Sequence, residues 1–132
     1  MENYVLRNGV EIPKIGYGTW KTPDGDTCIQ AVETAIKTGY RHIDAAAVYG
    51  NEVSVGIALQ NSGVERKELF ITGKVWNTER GYGRTMRAFE KTCKDLQTDY
   101  LDLYLIHWPA SPSQYKCWKE LNSETWEALT DL

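Results

Sequence analysis

Four residues of this chain carry side chains suited to handling a proton together: the carboxylate of Asp44, the phenol of Tyr49, the ammonium of Lys74 and the imidazole of His107. A free phenol has a pKa of about 10, so alone it is a poor acid at neutral pH. A nearby ammonium favours the phenolate, and a carboxylate beside that ammonium keeps it placed and charged. In such a group Tyr49 protonates a developing alkoxide, Lys74 tunes Tyr49, and Asp44 anchors Lys74. His107 donates a hydrogen bond that orients the substrate oxygen. General acid catalysis of this kind contributes about 10²–10⁴-fold. It supplies a proton but no reductant, so a hydride would have to come from a cofactor. Taken singly, an aspartate at a strand end often only caps a loop, and a tyrosine or histidine there often only packs. The lysine is harder to dismiss, because an ammonium ending a buried strand is costly unless paired. The joint placement of the four carries the argument.

That placement comes from the elements around them. Val5 to Ile12 reads as a β-hairpin, with Asn8-Gly9 fitting a type I′ turn. A unit of short strand, loop, amphipathic helix and glycine stop then repeats. The first strand spans Ile15-Gly16-Tyr17-Gly18, and its helix puts Cys28, Val32, Ala35 and Ile36 on one stripe before Gly39. A second helix is expected from about Glu52 to Asn61. A third carries Met86, Phe89, Cys93 and Leu96 on one face. A fourth begins near Ser123, with Trp126 and Leu129 together. The strands His42-Ile43-Asp44, Leu69 to Lys74 and Leu101 to His107 are nearly all apolar, as when both faces are buried. Asp44, Lys74 and His107 recur at the spacing of a βαβ unit, roughly 30 residues. Alternation of this kind implies a parallel sheet. In a parallel βα barrel the strand C-terminal ends open on the one face that holds the active site. Period two puts His107 on a face with Leu105 and Leu103, Lys74 with Thr72 and Phe70, and Asp44 with His42. Trp20, Trp76 and Trp108 follow three strand ends and would wall an apolar pocket. Trp118 and Trp126 read as helix-loop packing.

Length bounds the fold. A complete barrel takes about 250 residues, and this chain has 132, ending at Leu132 inside an apparent helix. The expectation is an α/β fold: the N-terminal half of a (β/α)8 TIM barrel, with about four βα units after a hairpin, all in one partial domain over residues 1–132. Half a barrel exposes two strand edges, which are templates for association. The inward faces of Leu103, Leu105 and Phe70 would then be poorly covered. A homodimer completing eight strands is one outcome.

Composition excludes other classes. A net charge of −3 gives no field to recruit nucleic acid or an anionic membrane. No apolar run approaches the ~18 residues of a membrane span. The N-terminus lacks the regions of a signal peptide. Three cysteines without C-x-x-C spacing read as reduced thiols in a cytoplasmic protein. The two histidines have no metal-ligand spacing with them, so no metal is expected. Gly16-Tyr17-Gly18-Thr19 lacks the third glycine of a dinucleotide fingerprint, and neither a P-loop nor a nucleophile elbow is present.

The segments Gly16-Tyr17-Gly18-Thr19-Trp20, Arg41 through Glu52, Ile71-Thr72-Gly73-Lys74-Val75-Trp76 and Leu101 through Pro109, in this order, resemble the aldo-keto reductases. The likeness is greatest to bacterial-type members related to 2,5-diketo-gluconate reductases and prostaglandin F synthases, and it runs from the hairpin to the last residue. The resemblance implies NADPH-dependent reduction of a small-molecule carbonyl substrate on a (β/α)8 barrel. It implies a catalytic tetrad of Asp44, Tyr49, Lys74 and His107, with Tyr49 as proton donor. It also implies that Gly18, Thr19 and Asp44 lie near the nicotinamide ribose, that Trp20, Trp76 and Trp108 line the substrate pocket, and that the hairpin plugs the barrel bottom. Ala45 stands where the family often has threonine, and Gly73 where serine is common; Gly73 is expected to loosen its strand. The family's serine-asparagine pair for the carboxamide, its nicotinamide-stacking tyrosine and its basic residues for the 2′-phosphate belong to the second half of the barrel, beyond Leu132. The alternative reading is a truncated, noncatalytic half barrel serving as an interaction module or an inactive remnant.

Overall fold

The structure is a computed structural model and describes residues 2–132. Two short antiparallel strands, β1 (Asn3–Val5) and β2 (Glu11–Pro13), form the hairpin. Its turn differs from the expected two-residue type I′ form. Gly9 N–H donates to the Leu6 carbonyl, Leu6 N–H donates to the Val10 carbonyl, and of Asn8 and Gly9 only Gly9 has positive φ, +84°. This is a three-residue loop with a left-handed glycine, which needs a residue without Cβ at one position rather than two permissive positions. Val10 and Pro13 border a cavity with Arg41, Phe70 and Asp102, which puts the hairpin at the N-terminal ends of the sheet strands.

The main sheet has four parallel strands in the order β3 (Tyr17–Gly18), β4 (His42–Asp44), β5 (Phe70–Val75) and β6 (Leu103–Ile106). Helices α1 (Asp26–Lys37), α2 (Glu52–Asn61), α3 (Tyr82–Asp95) and α4 (Trp118–Asp131) follow the successive strands. The α1 stripe of Cys28, Val32, Ala35 and Ile36 is buried as its spacing predicts. It packs with Val55, Ala58 and Leu59 of α2 and with Ile43 and Ile71 of the sheet into the main core. The core therefore lies between the sheet and the helices. α2 and α3 approach closely at Gly56, where an added Cβ would stand 2.4 Å from the Asp95 carbonyl oxygen.

Three expectations change here. Helix α4 begins at Trp118 rather than near Ser123, and Trp126 is 62% exposed. Thr125 and Ala128 are the residues it buries instead, with Thr125 Oγ1 accepting a bond from Gly81 N–H at 2.9 Å. Gly73 does not loosen β5. A Cβ there would meet Leu101 Cδ1 at 2.8 Å, so the bare Cα is what lets Leu101 close on the strand. Of the inward-facing apolar residues, Leu105 is 39% exposed, but Phe70 is buried, with the His42 ring edge-on at 5.0 Å.

Candidate active site

The C-terminal ends of β4, β5 and β6 bring the four sequence-selected groups together. Asp44 is the last residue of β4 and pairs in register with Gly18 on one side and Thr72 on the other. Beyond it, a 3₁₀ turn over Ala47–Tyr49 lifts Tyr49 over the sheet end. Lys74 lies on the face of β5 opposite the core residues Ile71 and Val75, as alternation requires. Its side chain is 14% exposed, so its ammonium needs partners. It has them: both carboxylate oxygens of Asp44 at 2.8 Å, the Ala45 carbonyl at 3.0 Å and Tyr49 Oη at 3.1 Å. Three N–H groups thus meet three acceptor groups. Because Lys74 donates to Tyr49 Oη, the phenol's own proton is directed elsewhere.

His107 follows β6, anchored by its N–H to the Val75 carbonyl at 3.1 Å. Its ring stands edge-on to Tyr49 (centroids 5.7 Å apart, 88°) and to Trp76 (5.1 Å, 80°). Burial pushes its pKa below the ordinary value, and the Lys74 ammonium pushes the same way against the weaker pull of Asp44. Both effects favour the neutral imidazole. Its Nδ1 is buried with no partner among the described residues.

Gly18 and Thr19 sit beside Asp44 at the end of β3. Thr19 is fully buried, and both its N–H and its hydroxyl donate to the Asp44 carbonyl, at 3.0 and 3.1 Å. Trp76 and Trp108 border one cavity of about 450 Å³ with Asn77, Pro109, Ser111 and Gln114. Trp20 does not border it. That ring is 65% exposed, with the Lys21 ammonium 4.6 Å from its centre. Among the described residues, no group of three or more His, Cys, Asp or Glu is placed to hold a metal ion.

Two residues near the site escaped the sequence reading. Asn51 precedes α2, where an asparagine reads as a helix cap. It makes no cap bond; its buried Nδ2 donates instead to the Thr19 and Thr22 carbonyls, both at 2.9 Å. It therefore ties the loop after β3 to the Tyr49 turn. Arg80 is buried and donates from Nη2 to the Trp108 carbonyl at 2.7 Å, joining the loops after β5 and β6. Nothing in the local sequence marks either bond.

Known proteins share this arrangement of strands and motifs. The model of the Aldo/keto reductase family matches residues 14–132. The chain is 52% identical over 127 residues to glyoxal reductase of Bacillus subtilis, covering 96% of this chain and 43% of that protein. It superposes on a crystal structure of an aldo/keto reductase from Brucella melitensis with a TM-score of 0.90 and 46% identity, over 99% of this chain and 47% of that one. A Bombyx mori aldo-keto reductase solved in complex with NADP gives a TM-score of 0.85 and 35% identity, over 98% of this chain and 46% of that one. The chain thus spans less than half the length of the relatives it matches, and its fold is an α/β half-barrel. With the match extending through every strand that supplies a site residue, this chain belongs to the aldo/keto reductase family.

Proposed function

We propose that this segment carries the proton-handling half of an enzyme that reduces small aldehydes or ketones to alcohols with NADPH. The observation that supports it most directly is the Lys74 ammonium held between Asp44 and the Tyr49 hydroxyl. In this reading Tyr49 gives its proton to the carbonyl oxygen as that oxygen gains charge. The Lys74 ammonium stabilises the phenolate left behind, and Asp44 keeps the ammonium in place. His107 donates a ring N–H hydrogen bond that fixes the substrate oxygen. Trp76, Trp108 and Trp20 would bound the substrate and exclude water.

The residues present fit the ribose edge of a nicotinamide cofactor. A Cβ at Gly18 would meet nothing within 4 Å, which leaves space beside the sheet end, and the Asp44 side chain is 36% exposed next to it. Gly18, Thr19 and Asp44 would hold that edge. When bound, the cofactor supplies the hydride. The NADP in the Bombyx mori relative supports the choice of coenzyme. Residues 1–132 are then the hairpin and first four βα units of one domain. A cytoplasmic setting is supported by the free cysteines Cys28, Cys93 and Cys117, and no described helix is long and apolar enough to cross a membrane.

The test is Tyr49→Phe in the full-length protein that carries this segment. NADPH-dependent reduction of an aldehyde should fall by about 100-fold or more, with folding retained. A variant that keeps the parental rate would sink the reading.

A second reading follows from the sheet order, which ends at β3 and β6. The segment alone would act through those edges, as a noncatalytic interaction module or as a homodimer that pairs β6 with β3 of a second copy. Micromolar binding of NADPH by the isolated 132-residue chain as a monomer would count against it.

A further inference from the structure

Beside the site lies a buried cation that the proton chemistry leaves unused. Arg80 follows the 3₁₀ turn Asn77–Glu79 and comes just before α3. It is 4% exposed, yet no described carboxylate pairs with it. Its Nη2 donates to the Trp108 carbonyl at 2.7 Å, while Nε and Nη1 are buried with no acceptor among the described residues. The guanidinium carbon also lies 5.3 Å from the centre of the Tyr115 ring, within reach of a cation–π contact. A buried guanidinium with so few partners costs stability rather than adding it. Buried polar atoms in native proteins are nearly always satisfied, so these orphaned donors need a reason other than stability.

Both groups that Arg80 touches, the Trp108 carbonyl and the Tyr115 ring, belong to residues 107–117, which join β6 to α4. That segment supplies Trp108, Pro109, Ser111 and Gln114 to the cavity of about 450 Å³, and the segment before Arg80 supplies Trp76 and Asn77. Arg80 does not line the cavity; it joins the two walls from behind. Other bonds hold the neighbours of Trp108. His107 N–H is fixed by the Val75 carbonyl on β5, and Asn122 holds both the N–H and the carbonyl of Ala110. Pro109 has no N–H to give. Between those two anchors, among the described residues, the hydrogen bond that reaches the chain from outside the segment is the one from Arg80.

We propose, on the reductase reading of this cavity, that Arg80 is a positioning residue that sets the spacing of the two cavity walls and so selects which carbonyl compounds bind. His107 has its own anchor, so loss of Arg80 frees the Trp108 wall and leaves the proton-handling group in place. Such a residue governs KM and leaves kcat and its pH profile unchanged. A residue kept for folding alone would lower stability and leave the KM of the folded enzyme as it was.

The experiment compares Arg80→Met with the parent in the full-length protein that carries this segment. Methionine removes an unpaired buried charge, so the denaturation midpoint should stay the same or rise. Native-state cleavage by trypsin after the exposed Lys116 should quicken by about tenfold, because local opening of residues 107–117 no longer breaks a charge-assisted bond. KM for benzaldehyde should rise about tenfold with kcat within about twofold, and KM for acetaldehyde, too small to rest on both walls, should stay within about twofold. A lowered midpoint or failure to fold, an unchanged cleavage rate, or an unchanged benzaldehyde KM would each overturn the proposal. A parent that reduces no aldehyde would overturn the reductase reading and with it the substrate role, and the cleavage rate would still decide whether Arg80 tethers the segment.

Discussion

The two ends of the sheet each hold an ion pair, and they use it differently. At the N-terminal ends of the strands, Arg66 reaches the Thr98 hydroxyl, the Leu69 carbonyl, the Tyr100 carbonyl and Asp102, all within 2.8 to 2.9 Å. Asp102 also accepts the Ile71 N–H at 2.8 Å, and the Tyr100 ring lies 3.9 Å from the guanidinium carbon. These acceptors are fixed, and the one proton among them, on the Thr98 hydroxyl, is already donated to the Tyr100 carbonyl at 3.0 Å. At the C-terminal ends, Lys74 is equally occupied, but one of its three partners is the Tyr49 hydroxyl. That group carries a proton of its own, and none of the described residues accepts it. Two partly buried ion pairs of similar length therefore do different work. One joins the loops that start β5 and β6, and the other holds a phenol whose proton has no acceptor among the described residues.

The sharpest way to separate the two is to remove each cation. Arg66→Met strands the Asp102 carboxylate and frees two loop carbonyls, so the protein should lose about 3–4 kcal/mol in chemical denaturation. A loss below about 1 kcal/mol would mean that the N-terminal network is only a surface pair. Lys74→Met should behave in the opposite way in the full-length protein. Carbonyl reduction, measured as kcat/KM, should drop by about 100-fold or more, or about 3 kcal/mol in transition-state stabilisation, and stability should fall by only about 1–2 kcal/mol because Asp44 still reaches water. A rate loss that merely follows unfolding would erase the contrast.

Glu52 extends the comparison to a buried carboxyl with neither kind of partner set. Burial raises it from 4.5 to about 7, with Asp95 adding to the shift and the Thr92 hydroxyl opposing it. A raised carboxyl pKa stabilises the folded state fully below the unfolded value. That contribution is lost as pH climbs from about 4.5 to about 7, because the unfolded chain ionises first. The loss should amount to roughly 2–3 kcal/mol. Glu52→Gln should flatten the denaturation free energy over that window, and an unchanged slope would assign the pH dependence to other groups. The smallest effect concerns α3, which ends with Gln97 at φ +54° and with Thr98 N–H bonded to the Cys93 carbonyl. A side chain is strained in that left-handed position. Gln97→Gly should raise stability by about 1 kcal/mol and firm the loop that presents Thr98 and Tyr100 to Arg66. A lower melting temperature would show that the Gln97 side chain contributes packing that outweighs its strain.

Much of the fold was legible in the sequence. The helix α2 spans the residues expected of it, Glu52–Asn61, and the α1 stripe is buried as spaced. These features depend on neighbours within one helical turn or one strand period, which local residue types set directly. The start of α4 was not legible, because the residues from Trp118 to Asn122 offer only the single pair Trp118 and Leu121 at helical spacing. Asn122 helps to fix them there by exchanging two bonds with the Ala110 backbone. The hairpin turn was misread for a related reason: Asn8-Gly9 suits two turn types, and the pairing of Val5 with Glu11 selects one.

The candidate site divides in the same way. The sequence alone determined that a carboxylate, an ammonium and an imidazole fall at successive strand ends, with a phenol just beyond the first, because strand period and βα spacing dictate it. Only the tertiary structure decided that Tyr49 Oη reaches Lys74 across 25 positions and that Asn51 reaches Thr19 across 32. It also decided that Trp76 and Trp108 share a cavity without Trp20. Those outcomes turn on the paths of the loops between strands. A loop's path is set by which buried donors must find acceptors far along the chain, and that requirement has no local signature.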